Sequence, residues 1–229
     1  MNNLKILYLD VESIGVNALK SDLGCTAVFG YKWEGDKRAK SLTLTRKELR
    51  HFDDKRLLKQ ASKLFAEADL IVGHFASVFD RRFIQGRLLI NGLPPIPPTR
   101  LRDTCMIARS VANYSSNRLK HLCKILGFKN QKLENGWPMA WFRVMQGDMK
   151  ALAGMARYCE GDIEALQELY HKLLPFDNAH PKMYSDRAKC GICDGAIQYR
   201  GRISVNSKWY RRFQCTRCSH WGRETKVMK

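Results

Sequence analysis

The stretch Leu4-Lys5-Ile6-Leu7-Tyr8-Leu9-Asp10-Val11-Glu12 is an apolar run of strand length that ends in two carboxylates separated by one residue. A near-continuous apolar run is typical of a strand that is covered on both faces. Side chains two apart in a strand point to the same face, so Asp10 and Glu12 can direct their oxygens at one divalent cation. An isolated Asp-x-Glu more often marks a strand that ends in an acidic loop. The metal-site interpretation therefore depends on partners elsewhere in the chain.

Two later segments supply such partners. The apolar strand pattern at Leu70-Ile71-Val72 leads to Asp80 at the start of a helix, where a carboxylate can serve a site or cap the helix. In the longest helical pattern of the chain, Tyr158 and Asp162 are four residues apart and share one face of the helix. Taken alone, Tyr158 is more typical of a half-buried helix tyrosine, and Asp162 is what favours a site.

The pattern of elements predicts an α/β domain over residues 1–176, a linker over 177–188 and a small second domain over 189–229. A hairpin is predicted over Cys25 to Trp33 and Ala39 to Thr45, with Glu34-Gly35-Asp36 as the turn. Helical periodicity predicts four helices, at Arg56 to Ala68, Phe79 to Asn91, Arg118 to Leu126 and Gly147 to Leu174. The order of strands before helices favours a mixed sheet flanked by helices.

Composition limits the class of protein. The chain of 229 residues has 40 Lys and Arg against 22 Asp and Glu, a net charge of +18. Such a surface favours a polyanionic partner, because phosphate contacts release counterions, and nucleic acid is the leading candidate. The sequence shows neither a membrane-spanning run nor a signal peptide, so we expect a soluble, cytoplasmic protein without membrane contact.

The eight cysteines fall into two classes. Four lie singly in apolar segments and receive no chemical role, since a free thiol there behaves as a small hydrophobe: Cys25, Cys105, Cys123 and Cys159. The others form two Cys-x-x-Cys pairs, Cys190 with Cys193 and Cys215 with Cys218, at a spacing typical of a structural zinc site. Strand-like segments lie between the pairs, so this region resembles a zinc ribbon, a fold of some forty residues that needs its metal for stability.

Three motifs together carry a family resemblance. Asp10-x-Glu12 on the first strand, Phe79-Asp80 after a Gly-His turn, and Tyr158-x-x-x-Asp162 on a late helix resemble the motifs of the DEDD superfamily of 3′-to-5′ exonucleases, which have a ribonuclease H-like fold. The resemblance covers about Leu4 to Leu174. Tyrosine at position 158, with arginine at position 157, makes the chain similar to the Tyr subclass. Many members have Asn in the turn where this chain has Phe75, so substrate contacts there are expected to differ.

The resemblance implies a metal-dependent mechanism. Asp10, Glu12, Asp80 and Asp162 would bind two Mg²⁺ or Mn²⁺ ions about 4 Å apart, one activating water and one stabilising the leaving oxygen. Tyr158 would orient the attacking water, since a phenol with an ordinary pKa of about 10 is a poor base. The expected products are nucleoside 5′-monophosphates released from 3′ ends of single strands, with DNA favoured slightly over RNA.

Nucleic-acid contacts are predicted in both domains. The region Phe128 to Gln146 interleaves Trp137, Trp141 and cations, which is typical either of a strand-binding surface or of a hydrophobic plug. The ribbon combines Arg and Lys with exposed aromatic residues. The predicted contacts are His74, Phe75, Arg118, Lys132, Arg200, Arg202, Trp209, Arg211 and Arg212.

Two other functions are consistent with the same residues. A ribonuclease H-like endonuclease would use the same carboxylates for internal cuts. A binding module would recognise nucleic acid, or a replication or repair protein, without cleavage. The complete set of four carboxylates favours an enzyme over a binding module.

Overall fold

The structure is a computed structural model that describes residues 4–128, 137–186 and 188–228. The chain divides into two compact units, Met1–Leu169 and Tyr170–Lys229. The finer division predicted from the sequence, 1–176, 177–188 and 189–229, stays a prediction. None of the helices in the described ranges is long and apolar enough to cross a membrane.

A mixed sheet of five strands forms the centre of the first unit, in the order β3-β2-β1-β4-β5. Strands β1, β2 and β3 pair antiparallel, whereas β4 pairs parallel to both β1 and β5. The strands are β1 Ile6–Gly15, β2 Gly24–Trp33, β3 Lys40–Thr43, β4 Leu70–Gly73 and β5 Arg100–Asp103. The predicted mixed sheet flanked by helices is therefore confirmed.

Seven α-helices accompany the sheet in the described residues. They are α1 Arg46–His51, α2 Lys55–Glu67, α3 Asp80–Ile90, α4 Thr104–Val111, α5 Leu119–Ile125, α6 Trp137–Met145 and α7 Met149–Leu173. The apolar faces of α2 and α3 are buried, including Leu57, Phe65 and Leu88. Each such side chain contributes about 1.5–3 kcal/mol by leaving water. Both helices pack on the sheet, where each contacts β2.

Strand β1 extends further than the apolar run indicates. It continues through Asp10 and Glu12 to Gly15, and its pairing with β2 is shifted by a bulge between Glu12 and Ser13. Bulges redirect side chains and occur next to active sites. The two carboxylates therefore lie inside a paired strand rather than at its exit into a loop, which gives them a fixed backbone.

Helices α1, α4 and α6 were not among the four helices predicted from periodicity. Helix α1 begins with a capping box in which Thr45 and Glu48 satisfy each other's backbone N–H groups, a signal present in the sequence as Thr-x-x-Glu. Helix α6 carries Pro138 in its first turn, where proline is tolerated.

The second unit contains an antiparallel sheet of three strands in the order β6-β7-β8. The strands are β6 Ile197–Val205, β7 Lys208–Cys215 and β8 Trp221–Val227. The first two overlap the strand-like segments predicted between the cysteine pairs. Strand β8 was missed because its sequence lacks the apolar alternation by which a strand is recognised. The three strands and the four cysteines fit the predicted zinc ribbon.

Candidate active site

Three of the predicted carboxylates converge. One oxygen each of Asp10, Glu12 and Asp162 lies within 4.8 Å of the others. Asp10 and Glu12 project from the same face of β1, and Asp162 comes from α7, where it is 5% exposed. A sheet strand and a helix far apart in sequence thus bring together oxygen ligands of the type that Mg²⁺ and Mn²⁺ prefer.

A glycine in β2 allows α7 to come this close. Gly30 pairs with Asp10, and a Cβ atom built on Gly30 would lie 2.5 Å from Cys159 Sγ and 2.6 Å from Ile163 Cδ1. These two residues flank Asp162 on α7. The thiol of Cys159 also lies 3.5 Å from the Asp10 carbonyl oxygen, and burial, with the charges of Asp10 and Glu12, raises its pKa well above the ordinary value. Gly30 is thus a positioning residue that the sequence did not indicate. Cys159, which received no chemical role from the sequence, packs beside it.

Asp80 is buried at the first turn of α3. Its Oδ1 accepts a hydrogen bond of 3.1 Å from the Val11 N–H, which ties the carboxyl to the peptide between Asp10 and Glu12. Burial, and then the charge of Asp10, raise the pKa of Asp80 well above its ordinary value of 3.8. The structure thus places several carboxyl groups close together, and a bound cation would relieve the repulsion between their charges.

Tyr158 lies one helical turn before Asp162 and is 8% exposed. Its ring and that of Trp141 in α6 pack edge to face, with 6.5 Å between ring centroids. Trp141 thus packs against a predicted catalytic side chain. This contact lets Trp141 fix the orientation of the phenol.

The loop between β4 and α3 is held by Asp103 at the end of β5. Its carboxylate accepts the Phe75 N–H at 2.8 Å and both the N–H and the hydroxyl of Ser77, at 2.9 and 2.6 Å. His74 is anchored as well, with Nδ1 2.9 Å from Thr104 Oγ1 and Nε2 2.9 Å from the Asn117 carbonyl oxygen. Asp103 therefore organises the loop that borders the carboxylates, a role not assigned from the sequence.

Phe75 occupies a left-handed backbone conformation, with φ of 65°. Asn and Gly adopt this region easily, whereas a bulky side chain is strained there. The ring is 37% exposed, and the Arg109 guanidinium lies 5.8 Å from its centroid. The departure from Asn noted in the sequence thus combines backbone strain with an exposed aromatic ring, a combination that points to function rather than stability.

A cleft of about 680 Å³ connects these features. Its walls include Asp10, Asp162, His74, Phe75 and Arg118. Three predicted nucleic-acid contacts therefore line the same cleft as two of the predicted metal ligands. Lys132, another predicted contact, lies outside the described residues.

The second unit brings its four predicted cysteines together. The sulfurs of Cys190, Cys193, Cys215 and Cys218 lie within 4.8 Å of one another. The Sγ atoms of Cys190 and Cys218 are 3.8 Å apart, and those of Cys193 and Cys215 are 3.5 Å apart. A tetrahedron with Zn–S bonds of about 2.3 Å has edges of about 3.8 Å, so the cluster fits a zinc ion. Hydrogen bonding to Cys218 and the N–H groups of Ile192 and Cys193 lower the pKa of Cys190 to about 4, which favours the thiolate.

The predicted contacts of the ribbon lie on its exposed sheet. Arg202 stands over the Trp209 ring at 5.6 Å, Arg211 over the Tyr199 ring at 3.5 Å and Arg212 over the Trp221 ring at 4.9 Å. Arg200 bonds through its guanidinium to Gln198 at 3.0 Å. Cations and aromatic rings are therefore interleaved on this sheet as the sequence predicted.

Comparison with known protein families shows which superfamily the chain belongs to. A family model for the RNase H superfamily matches residues 7–174, most of the chain. The chain belongs to the RNase H superfamily. The matched range contains all five of the predicted catalytic residues, and membership of the RNase H superfamily supports a nuclease.

A solved structure has the same fold as this RNase H superfamily member. It is a family B DNA polymerase from the hyperthermophilic archaeon Pyrobaculum calidifontis, with a TM-score of 0.61 and 17% sequence identity. The match covers 76% of this chain but 25% of the polymerase, so the chain spans a quarter of that protein's length. At this identity the likeness shows the fold alone. A comparison with curated protein sequences finds no match.

Proposed function

We propose that the chain is a metal-dependent 3′-to-5′ exonuclease that hydrolyses phosphodiester bonds of single-stranded nucleic acid and releases nucleoside 5′-monophosphates. The observation that carries the proposal is the convergence of Asp10, Glu12 and Asp162 within 4.8 Å, at the side of a cleft with exposed aromatic and basic residues. Superfamily membership and the order of the three exonuclease-like motifs support it.

The donor set consists of carboxylate oxygens, which fits Mg²⁺ or Mn²⁺ better than zinc or copper. Asp10, Glu12, Asp80 and Asp162 would hold two such ions. When bound, these ions would supply an activated water and stabilise the charge on the leaving oxygen. Tyr158 would orient the attacking water through its hydroxyl group, which Trp141 holds in place.

The cleft would bind the 3′-terminal nucleotide. Phe75 offers a ring face to the terminal base, and Arg118 offers charge to a phosphate. The order of the three exonuclease-like motifs favours cleavage at an end over cleavage of an internal bond. The fold likeness to a DNA polymerase favours DNA as the polymer, and a replication or repair protein as a further partner.

The ribbon would hold zinc as a structural ion and assist substrate binding. Its four sulfurs match a tetrahedral site, and its sheet presents cations beside aromatic rings, among them Arg212 beside Trp221. Single-strand binding uses this combination, since bases stack on rings while phosphates meet Arg.

The test is digestion of DNA and RNA strands labelled at either the 3′ or the 5′ end, with Mg²⁺ or Mn²⁺. We expect immediate release of labelled mononucleotide from the 3′ label and a ladder of shortening products from the 5′ label. A circular single strand should resist digestion. Cleavage of the circle would instead support an endonuclease.

The variant that tests the metal ligands combines Asp10→Ala with Glu12→Ala. It should lose metal-dependent mononucleotide release while retaining the fold and strand binding. Unchanged release would overturn the proposal. Strand binding without release by the wild-type chain, under every metal tested, would favour a binding module.

A further inference from the structure

The two faces of the ribbon sheet carry matching pairs of arginines. In the pairing of β7 with β8, Arg212 lies directly opposite Arg223, and in the pairing of β6 with β7, Arg202 lies directly opposite Arg211. Arg211 and Arg212 are consecutive in β7, so the two pairs project from opposite faces. Like charges directly opposite each other destabilise a sheet unless something compensates them.

The carboxylates of the ribbon do not compensate the Arg212 and Arg223 pair. From residue 189 onward the sequence has ten Lys and Arg but two acidic residues, Asp194 and Glu224. Asp194 pairs with Lys189 at 3.1 Å. Glu224 accepts a hydrogen bond from the Tyr199 hydroxyl and lies 3.8 Å from Arg211. In the part of the chain that the structure describes, neither Arg212 nor Arg223 has an ion-pair partner.

Both guanidinium groups of this pair are oriented by neighbouring rings. Arg212 stands 4.9 Å from the Trp221 ring centroid, and its Nε donates a hydrogen bond of 3.0 Å to the Arg200 carbonyl oxygen. Arg223 stands 4.2 Å from the Tyr210 ring centroid. Stacking restricts the guanidinium planes and leaves the terminal nitrogens of Arg212 as donors, which suits two-point binding of phosphate.

The same two arginines line one cleft. It has a volume of about 440 Å³ within the second unit, and Lys182, Ile203 and Trp221 line it as well. The backbone or side chain of Glu224 also borders it, but the carboxylate is engaged with Tyr199 and Arg211. Trp221 is 39% exposed, so the cleft combines cations with accessible aromatic surface.

We propose that Arg212 and Arg223 form a phosphate clamp that binds the backbone of a single nucleic-acid strand in this cleft, with Trp221 contacting a base. The proposal rests on the proposed function for the identity of the polymer, and it assigns binding to one face of the ribbon. The opposite face, with Arg202 and Arg211, has the same formal charge from arginine but carries Glu224, which weakens anion binding.

The experiment compares two double variants of the full-length chain with zinc bound. Arg212→Gln with Arg223→Gln removes the clamp, and Arg202→Gln with Arg211→Gln removes the same charge from the other face. Each is made together with Asp10→Ala, so that the strand is not cut. Binding of labelled oligothymidylate is measured by fluorescence anisotropy over a series of salt concentrations.

We expect the clamp variant to bind about tenfold more weakly, because two charge-assisted hydrogen bonds are removed. Its plot of log affinity against log salt should become shallower by about 0.7 for each phosphate that the protein no longer neutralises. The control variant should change affinity by less than about threefold, as expected for general electrostatics. Arg212→Lys with Arg223→Lys, which keeps the charge but removes the planar donors, should fall between wild type and the clamp variant.

Equal weakening in both double variants would overturn the clamp, because charge in general would then explain binding. Unchanged affinity in the clamp variant would also overturn it. Stronger competition by polyglutamate than by unlabelled oligothymidylate would assign the cleft to an acidic protein instead. Zinc stoichiometry confirms that each variant keeps the ribbon folded.

Failure of the clamp and failure of the nuclease proposal are separable. Hydrolysis of a nitrophenyl ester of thymidine 5′-monophosphate needs the carboxylate site, but this substrate is too short to depend on the ribbon. The clamp variant without Asp10→Ala should keep this activity at wild-type level. If the clamp variant loses strand binding but retains ester hydrolysis, the clamp is supported. If no hydrolysis is found in any variant but strand binding still depends on Arg212 and Arg223, the clamp is supported and only the nuclease proposal fails.

Discussion

Replacement of Gly30 by alanine tests how closely α7 must approach β2 for the carboxylates to act together. The new Cβ would lie 2.5 Å from Cys159 Sγ and 2.6 Å from Ile163 Cδ1. Non-bonded heavy atoms are most stable at about 3.5–4.0 Å, and both of these side chains are fully buried in the packed core. We therefore expect the helix to move away by about 1 Å. Asp162 lies between these two contacts on α7 and moves with them, whereas Asp10 and Glu12 stay on the sheet.

The expected result is a large loss of activity with a smaller loss of stability. A displacement of about 1 Å in a catalytic group lowers the rate about 100-fold. Insertion of a methyl group into a packed core costs about 1–3 kcal/mol, which lowers the thermal midpoint by about 2–4 °C for each kcal/mol in a domain of this size. Mononucleotide release and thermal denaturation measure the two effects separately.

Compensating substitutions identify the cause. Cys159→Ala removes the sulfur, and Ile163→Val removes Cδ1, so both together should restore most of the activity to the Gly30→Ala chain. The chain with Cys159→Ala and Ile163→Val but with Gly30 retained serves as the reference for activity. Gly154→Ala, also a glycine replacement and on the same helix, should leave activity unchanged because the nearest atom to its Cβ is 4.0 Å away. Full activity in Gly30→Ala, or no recovery in the compensated variant, would refute this reasoning.

Three further predictions concern Asp80, Phe75 and the zinc cluster. Because the pKa of Asp80 is raised above 3.8, the protein without Mg²⁺ or Mn²⁺ should lose stability as pH rises from about 4 through the raised pKa. Asp80→Asn should therefore melt higher than wild type in metal-free buffer, by a margin that grows with pH, yet be inactive. Phe75→Asn should relieve about 1–2 kcal/mol of left-handed backbone strain and so raise the thermal midpoint; a lower midpoint would contradict the strain. Because the substitution also removes a stacking ring, it should raise KM for strands more than it lowers kcat. Cys193→Ser should lower zinc content and unfold the ribbon, measured by metal analysis and proteolysis, with hydrolysis of short esters retained.

The sequence predicted the parts of the fold that follow from local patterns. The apolar run before Asp10, the helical spacing in α2 and α7, and the two cysteine pairs each depend on neighbours in sequence. The family resemblance added the order of Asp80, Tyr158 and Asp162, and the structure brings Asp162 to Asp10 and Glu12. Periodicity cannot show such long-range convergence, because it reports which face is apolar but not what that face meets.

What the sequence did not predict depends on tertiary contact. In the sequence, Gly30 indicates at most a close approach of another backbone, as glycine within a strand often does. Only the structure shows that a Cβ atom at this position would lie 2.5–2.6 Å from Cys159 and Ile163. Asp103 has an ordinary helix-capping sequence, and its hydrogen bonds to Phe75 and Ser77 arise from loops brought together by parallel pairing of β4 and β5. Strand β8 is stabilised by its partner β7 rather than by its own propensity.

The buried cysteines and the zinc-cluster cysteines should differ in their reactivity toward alkylating agents and oxidants. Burial raises the pKa of Cys25, Cys105 and Cys159, so these thiols are poor nucleophiles and resist alkylation and oxidation while the fold is intact. When the metal leaves the ribbon, Cys190 becomes a reactive thiolate, since its pKa is lowered to about 4. In native protein, the number of thiols that react quickly should therefore report metal loss from the ribbon, and oxidants should inactivate strand binding before they damage the site of hydrolysis.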